Sequence, residues 1–285
     1  MFNIQRINFK NKNAKNDFFT SFQNTGFAVI ENHDISFDLI DSVYSEWEKF
    51  FSSAEKINYK FDTDTQDGFF PFRSESAKDN PVKDLKEFFH VYPNTILPDL
   101  VSLNTKSLYT NLVSLGNVLL NWLDELTPEA VKSQFSEPLF NMSKGSDRNL
   151  LRILHYPPLE SKVEDGAIRA AAHEDINLIT LLVSGSQPGL EAMDKENIWH
   201  KVPVNKGMIT VNVGDMLQMA SGGFYPSTSH RVVNPENTQN VSRYSLPMFM
   251  HPRNDAILKP GTTADDYLQE RLKEIRARVN ISPLG

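Results

Sequence analysis

The sequence predicts an α+β, mainly β protein, in which a sandwich or barrel of strands is flanked by helices at both ends of the chain. Short apolar runs separated by turn residues fill the stretch after about residue 150, and such runs are typical of strands in a sandwich or barrel. Apolar residues repeat at helical spacing before this stretch and again after it. No linker-like segment separates the parts.

We therefore expect one compact unit over residues 1–285. Its N-terminal region, residues 1–145, is mixed and mostly helical. The β core occupies residues 146–255, and a C-terminal helix occupies residues 256–285.

The first third of the chain predicts a strand at Gly26–Glu31, followed by a helix that Ser36 can cap. A second, longer helix is predicted further on, and Pro128 ends it. The apolar positions of the first helix are Ile40, Val43, Trp47, Phe50 and Phe51, and those of the second are Leu108, Leu112, Leu115, Leu119, Trp122 and Leu126. Both sets form a continuous apolar stripe, which predicts burial against a core.

The strands of the β core are predicted from four apolar runs: Leu151–Tyr156, Leu178–Val183, Met208–Val213 and Ser245–Met250. The chain then returns to helix. Thr263 can cap this last helix, with Asp266 three residues later. Its predicted apolar face consists of Leu268, Leu272, Ile275 and Val279.

Composition excludes several classes of protein. The chain has 285 residues, of which 40% are hydrophobic and 11% aromatic, so it can bury a large core. Lys and Arg total 29 against 36 Asp and Glu, a formal net charge of −7. An acidic chain has no general attraction to phosphate backbones, and we expect no nucleic-acid partner. The absence of cysteine excludes disulfides, zinc–thiolate sites, iron–sulfur clusters and cysteine nucleophiles.

The first residues are rich in Asn and Lys and lack the apolar segment of a secretory signal. No apolar stretch approaches the ~20 residues that a membrane helix needs. We expect a cytoplasmic protein without a membrane partner. The sequence carries no signal for an oligomeric state.

Two histidines and one carboxylate form a candidate metal site. His173 and Asp175 are two residues apart, so on a strand both side chains point to the same side. His230 follows inside another short apolar segment. Two His and one carboxylate, with open positions opposite, make the facial triad of non-haem Fe(II) sites that use O₂.

A carboxylate receptor is predicted thirteen residues after His230, where Arg243 and Ser245 alternate onto one face of a strand. A guanidinium beside a hydroxyl binds a carboxylate through charge-assisted hydrogen bonds. Taken alone, this arginine can equally be a solvated strand residue.

Together these motifs resemble the iron- and 2-oxoglutarate-dependent dioxygenases of the isopenicillin-N-synthase-like group. The resemblance covers nearly the whole chain. The segments that carry it are Gly26–His33, Asp84–His90, Ala172–Leu182, Pro188–Glu191 with Trp199, Val211–Leu217, Ser227–Val233 and Arg243–Ser245. The fold that the resemblance implies is a double-stranded β-helix, or jelly roll, with helices on both sides, so that residues 146–255 are the jelly-roll catalytic core.

The resemblance implies an enzyme that binds Fe(II) and uses 2-oxoglutarate and O₂ as co-substrates, with succinate and CO₂ as co-products. The residues implied for Fe(II) and for 2-oxoglutarate are, respectively, His173, Asp175 and His230, and Arg243, Ser245 and Tyr156. Many members have an Asn-x-Tyr at the last of these positions, and Leu154 replaces that Asn here.

Three polar residues inside these motifs have other interpretations. Asn212 can face the site, because it lies two residues before Gly214 on its strand. Asp215 is interpreted as a strand-end residue with a structural role. His155 points to the opposite face from Tyr156 and is not expected to bind the metal.

Substrate residues are predicted from the places where family members build their pocket. The candidates are Arg73, Phe89, His90, Arg169, Phe249 and His251. The two arginines can hold a substrate carboxylate or pair with surface acids. The substrate is expected to be a small molecule.

Several outcomes stay open at this point. Hydroxylation is the commonest reaction in the family that this chain resembles, and desaturation and ring closure occur on the same scaffold. Asp175 argues against halogenation, since a halogenase has a small residue there. An Fe(II) oxidase of the isopenicillin N synthase type, which uses no 2-oxoglutarate, also keeps an Arg-x-Ser. A metal-binding jelly roll without turnover is a third hypothesis.

Overall fold

A computed structural model describes residues 2–62, 65–76, 82–159, 164–235 and 240–278. Of residues 275–278 it describes the backbone only. The helices are α1 (Ala14–Thr25), α2 (Phe37–Ser52), a 3₁₀ helix (Ala54–Tyr59), α3 (Asn104–Leu126), α4 (Glu129–Lys132), α5 (Leu139–Ser143), α6 (Asp215–Ala220) and α7 (Ala264–Arg278). The early strands are β1 (Arg6–Asn8), β2 (Phe27–Glu31), β3 (Gly68–Phe70), β4 (Glu87–Val91) and β5 (Leu150–Tyr156). The later ones are β6 (Ala170–His173), β7 (Ile179–Val183), β8 (Leu190–Met193), β9 (Trp199–Lys201), β10 (Ile209–Val213), β11 (His230–Val232), β12 (Arg243–Met250), β13 (Ile257–Lys259) and β14 (Thr262–Thr263).

Two sheets and a small hairpin make up the β structure. The major sheet has eight strands in the order β1-β2-β10-β7-β12-β5-β4-β3, and the minor sheet has four in the order β6-β11-β8-β9. All neighbours are antiparallel except β1 and β2. Sheet and helix together confirm the predicted jelly roll with flanking helices.

The apolar residues separate into two clusters. The larger one lies between the helices and the outer face of the major sheet, and includes the buried stripe of α3. The smaller one lies between the two sheets, where Phe27, Leu154 and Val232 are among its members. The space between the sheets is therefore partly apolar, and the polar side chains described below share it.

The predicted helices and strands are found with small shifts. Ser36 caps α2, where its hydroxyl accepts a hydrogen bond from the Leu39 N–H at 3.5 Å. The long helix α3 ends at Leu126, two residues before Pro128. Thr263 and Asp266 cap α7 reciprocally, because each side chain accepts from the other residue's backbone N–H. The predicted apolar positions Ile275 and Val279 lie outside the described side chains.

The prediction that a strand begins at Gly26 was wrong by one residue. Gly26 has φ +68° and ends α1, a helix that the sequence analysis did not predict. A Cβ at this position would lie 2.2 Å from the Pro226 carbonyl oxygen. Both the left-handed backbone and the close approach require glycine.

The N-terminal region contributes more strands than a mostly helical prediction suggests. Strands β1 to β4 all precede residue 145, and they supply half of the eight-stranded sheet. They pair directly with β10 and β5 of the core. Among the described residues, no helix combines the length and the apolar character needed to cross a bilayer.

Candidate active site

Three side chains converge at the end of β6, in the minor sheet. His173 is the last residue of β6, Asp175 lies two residues further on, and His230 begins β11 directly opposite His173. Their candidate ligand atoms all lie within 4.8 Å of one another. The Asp175 Oδ1 is 3.9 Å from the His173 Nε2 and 3.8 Å from the His230 Nε2. Within the described part of the chain, this is the one group of three such residues that can hold a metal ion.

Backbone carbonyls set the orientation of both imidazoles. The His173 Nδ1 donates to the Ala171 carbonyl at 2.7 Å, and the His230 Nδ1 donates to the Thr228 carbonyl at 3.1 Å. A carbonyl oxygen can only accept, so each ring carries its proton on Nδ1. The Nε2 lone pairs are therefore free and face Asp175. This is the outer-shell arrangement that orients histidine ligands in metal sites.

The Asp175 carboxylate uses one oxygen for the protein. Its Oδ2 accepts from the Thr180 hydroxyl at 2.5 Å and from the Asn212 Nδ2 at 2.8 Å. Asn177 holds Thr180 in turn through a 2.8 Å hydrogen bond. The Oδ1 faces the two imidazoles and is available as a ligand atom. The prediction that Asn212 faces the site is confirmed.

The protonation states suit a divalent cation. Burial, followed by the neighbouring His230, lowers the pKa of His173 to about 4. Burial alone would raise the pKa of Asp175, but the two imidazoles and the hydrogen bonds from Asn212 and Thr180 bring it below its ordinary value. At neutral pH the site thus presents a neutral imidazole at His173 and an ionised carboxylate, which are the forms that bind metal.

A buried guanidinium lies in the same cavity as this triad. Arg243 is 1% exposed, and its Nε donates to the Gln187 carbonyl at 3.0 Å. Its Nη1 is buried and finds no hydrogen-bond partner among the described residues. Ser245 lines the cavity on the same face of β12. A Cβ on Gly185 would lie 2.9 Å from the Arg243 Nη2 and 3.1 Å from the Tyr244 carbonyl oxygen, so a side chain there would displace the end of the guanidinium.

Tyr156 and Leu154 sit opposite these two residues on β5. In the register of the major sheet Tyr156 pairs with Arg243, and Leu154 pairs with Ser245. The Arg243 Cζ is 5.1 Å from the centre of the Tyr156 ring. Both β5 residues line the cavity. Leu154, which stands where the family has Asn, therefore offers this cavity an apolar side chain.

The predicted substrate residues divide into three groups. Phe249 lines the cavity. His90 and His251 are buried beside its wall without lining it, and His90 accepts a hydrogen bond from the Arg152 Nε at 2.9 Å. Arg169 is also buried, and its Nη2 donates to the Val241 carbonyl at 3.0 Å. Burial, followed by the positive charge of the nearby Arg243, lowers the pKa of Arg169 to about 10.

Phe89 and Arg73 do not line the cavity. Phe89 points to the helix side of β4, where its ring centre is 5.0 Å from that of Trp47. The strand alternates, so Phe88 and not Phe89 faces the space between the sheets. Arg73 forms an ion pair with Glu164 at the surface, which is the alternative that the sequence left open.

His155 and Asp215 do not line the cavity. His155 points away from the cavity, where its Nδ1 is 2.8 Å from the Glu87 carboxylate. Asp215 begins α6 and accepts a hydrogen bond from the Tyr267 hydroxyl at 2.8 Å.

Sequence reasoning missed two cations that line the cavity, Lys86 and Arg152. Arg152 is four residues before Tyr156 on β5, so alternation alone places both on one face. That signal was present, but a single arginine without a motif did not stand out from surface arginines.

Fe(II) and 2-oxoglutarate fit these residues. Two free imidazole nitrogens and one carboxylate oxygen match the facial triad of non-haem iron sites. The unpartnered, buried Nη1 of Arg243 needs an acceptor, because an unsatisfied buried donor is costly. A carboxylate supplies that acceptor with charge as well.

Comparison with known families gives two matches along the chain. Residues 148–252 match the 2OG-Fe(II) oxygenase superfamily, and residues 6–111 match the N-terminal region described as non-haem dioxygenase in morphine synthesis. The first range holds the triad, Arg243 and Ser245, and the second holds the early strands of the major sheet.

Individual relatives agree with these matches. The chain is 29% identical over 264 residues to the 2-oxoglutarate-dependent dioxygenase citB of Monascus ruber, covering 83% of this chain and 78% of the relative. A crystal structure of an oxygenase candidate from Shewanella oneidensis is 45% identical, has a TM-score of 0.86, and covers 96% of this chain and 98% of its own.

The fold also matches that of a full-length Neurospora crassa protein in complex with α-ketoglutarate, with a TM-score of 0.77 at 22% identity over 95% of this chain and 96% of that one. Matched motifs, relatives and fold agree with the site geometry: the chain belongs to the 2OG-Fe(II) oxygenase superfamily and is an Fe(II)- and 2-oxoglutarate-dependent dioxygenase.

Proposed function

We propose that His173, Asp175 and His230 bind the Fe(II) of this dioxygenase, in a reaction that hydroxylates a small molecule. One observation carries the assignment. Two Nε2 lone pairs and one Asp175 oxygen point at one another from ring and carboxylate positions that the surrounding hydrogen bonds fix. Three protein ligands on one side leave the other coordination positions open.

Arg243 and Ser245 are proposed to bind the distal carboxylate of 2-oxoglutarate. The guanidinium is held by the Gln187 carbonyl, which accepts from its Nε, and it packs beside Gly185. Tyr156 is proposed to contact the same co-substrate from β5, opposite Arg243. Bound Fe(II), 2-oxoglutarate and O₂ supply the oxidising chemistry, with succinate and CO₂ as co-products.

The chain's own residues bind, orient and shield. Thr180 and Asn212 hold Asp175 so that a single oxygen faces the metal. Leucine, valine and phenylalanine side chains between the sheets exclude water from the reacting centre. Of the residues predicted to contact substrate, Phe249 is the one that we propose for that role, since it lines the cavity.

The test is an anaerobic titration of the metal-free protein with Fe(II) and then 2-oxoglutarate, followed in the visible spectrum. Chelation of iron by a 2-oxo acid gives a charge-transfer band. We expect the band in the natural protein and its loss in His230→Ala. Arg243→Ala should need about 10- to 100-fold more 2-oxoglutarate, the equivalent of a lost charge-assisted hydrogen bond.

His200→Ala is the matched control, because His200 lies on β9 and pairs with Asp194. It should leave the band unchanged. Bound iron without any band would overturn the co-substrate assignment and favour the oxidase alternative. Isotopically labelled O₂ then tests the reaction outcome, since hydroxylation places one labelled oxygen atom in the product. The cytoplasmic location stays a prediction.

A further inference from the structure

Among the described residues, two cations line the triad's cavity apart from Arg243. They are Lys86, just before β4, and Arg152 on β5. Both pair with acids, Asp84 and Glu75, that do not line the cavity. In each ion pair the cation lines the cavity and the acid does not, so the cavity is positively charged on this side.

Arg152 is held in place on several sides. Its Nε donates to the His90 Nε2 at 2.9 Å, and its Nη1 donates to the Glu75 carboxylate at 3.3 Å. The guanidinium lies over two rings, 4.6 Å from the centre of Phe88 and 5.4 Å from that of Phe249. An arginine fixed this way loses little further conformational freedom when it binds a ligand.

His90 acts as an acceptor in this arrangement. Its Nδ1 donates to the Gln66 carbonyl at 3.1 Å, which leaves a lone pair on Nε2 for Arg152. Burial, followed by the Arg152 charge, keeps the pKa of His90 well below its ordinary value. The imidazole is neutral, so it orients Arg152 without adding a charge.

Lys86 is connected through Asp84 to β6, the strand that carries His173. Its Nζ contacts Asp84 at 2.8 Å and Glu75 at 3.0 Å. The other oxygen of Asp84 accepts from the Ala171 N–H at 3.0 Å, two residues before His173. The cations are therefore built into the site next to the proposed iron position.

The backbone positions of Arg152 and Arg243 favour two separate ligands. Arg152 and Tyr156 are four residues apart on β5, about 13 Å along the strand at ~3.3 Å per residue. Tyr156 pairs with Arg243 in the sheet. The two end carboxyl carbons of 2-oxoglutarate are four C–C bonds of about 1.5 Å apart, hence at most about 6 Å. With 2-oxoglutarate between the iron and Arg243, Arg152 is available to a second anion.

We propose that Arg152, supported by Lys86, binds a carboxylate of the substrate, and that the substrate is an apolar or aromatic carboxylic acid. The planar fork of a guanidinium matches a carboxylate. The neighbouring walls are apolar, with Phe27, Leu182 and Phe249 among them, and suit the rest of such a molecule. This inference rests on the proposed function, because it needs iron and 2-oxoglutarate in their assigned places.

The test uses three matched pairs of probes on the anaerobic Fe(II)–2-oxoglutarate complex of the full chain. The pairs are phenylacetate and phenylacetamide, indole-3-acetate and indole-3-acetamide, and octanoate and octanamide. Binding is read as a shift of the charge-transfer band, and turnover as probe-stimulated succinate release in air. We expect at least one acid to bind about 10-fold or more tightly than its amide, the amount that a charge-assisted hydrogen bond supplies.

Arg152→Gln should raise the half-saturating concentration of that acid about 10-fold or more and leave the one for 2-oxoglutarate within about twofold. Arg152→Lys keeps the charge without the fork and should keep a weaker preference for the acid. This second variant decides the matter if Arg152→Gln does not fold. Arg6→Gln, at a surface ion pair with Glu31, is the control that should change neither value.

The outcomes separate the two proposals. Failure of the natural protein to form the band at all overturns the proposed function. A normal band with amides binding as well as acids, with no probe binding, or with acid binding unchanged in both Arg152 variants, overturns the substrate inference alone.

Discussion

The hydrogen bonds on the Asp175 Oδ2 let us predict the effect of Asn212→Ala. Without the Asn212 donor, Thr180 alone holds the Oδ2, and the orientation of the carboxylate is less firmly set. Fe(II) affinity should fall about 10- to 100-fold, the usual cost of removing an outer-shell partner. Anaerobic metal titration measures this. Asn104→Ala, whose side chain contacts Glu46 far from the cavity, is the control. Equal affinity in the two variants would contradict the assigned role.

His251 gives the metal-free protein a defined pH dependence. Burial lowers its pKa from 6.5 to about 4. Between these values the unfolded chain binds more protons than the folded one, so stability falls as pH decreases through this window. Across the whole window this one group accounts for on the order of 3 kcal/mol.

Urea denaturation of metal-free protein between about pH 7 and pH 5 measures this dependence. His251→Gln should make the dependence less steep, because the substituted side chain no longer titrates, while His90 and His173, whose pKa values burial also lowers, keep the remainder. Glu75 acts in the same direction at lower pH, since the neighbouring Arg152 and Lys86, against the effect of burial, hold its pKa below the ordinary value. A variant with the natural slope would rule out His251 as a source.

At this scale the sequence could predict side chains whose direction alternation fixes. Arg243 and Ser245 alternate on β12, and the structure places them in one cavity with His173 and Asp175. Asp175 lies two residues beyond the end of β6, so its position follows from the turn after the strand and not from strand alternation. The same rule explains the error at Phe89, because a shift of one residue turns a strand side chain to the other face. Arg73 lies in a short turn, with φ +60°, where no periodicity indicates a direction.

Among the secondary-structure elements, α3 offers a clear test of packing. Leu119 is fully buried in the larger core, whereas the adjacent Val118 is 39% exposed. Leu119→Ala should lower the free energy of unfolding by about 2–5 kcal/mol, from lost burial and the cavity left behind. Val118→Ala should change it by less than about 0.5 kcal/mol. Chemical denaturation gives both values, and similar losses would show that the stripe does not face the core.

Element prediction succeeded where the apolar pattern was long. The stripe of α3 spans about five turns of helix. The four predicted core strands, β5, β7, β10 and β12, are mostly apolar and buried along their whole length. Helix α1 was missed because few of its residues are apolar, with Phe18 and Phe22 carrying the buried face. Strands β3, β6 and β11 are too short for any pattern, and the sheet neighbours that define them are distant in sequence.

For the whole molecule, the shared sheet leads us to propose that residues 1–285 unfold as one cooperative unit. Strands β1 to β4 complete the major sheet, so the catalytic core lacks half of that sheet without them. The predicted boundary near residue 145 then marks a change in the apolar pattern of the sequence. It does not separate two parts that unfold independently.

A Trp199→Phe variant tests this, because its remaining tryptophans, Trp47 and Trp122, report on the N-terminal region. With Fe(II) and 2-oxoglutarate bound, urea should abolish the tryptophan signal and the charge-transfer band at the same midpoint. Two separate midpoints would indicate independently stable parts.

The glycine behind Arg243 has a consequence for how this sequence can evolve. Gly185 is neither a proposed iron ligand nor a proposed substrate-binding residue, yet a side chain there would displace the Arg243 guanidinium. In a saturation library selected for 2-oxoglutarate turnover, position 185 should favour glycine, while the exposed Val118 on α3 should tolerate many residues. Substitutions are then restricted at Gly185, a position with no role in binding or catalysis, because a side chain there would displace the Arg243 guanidinium.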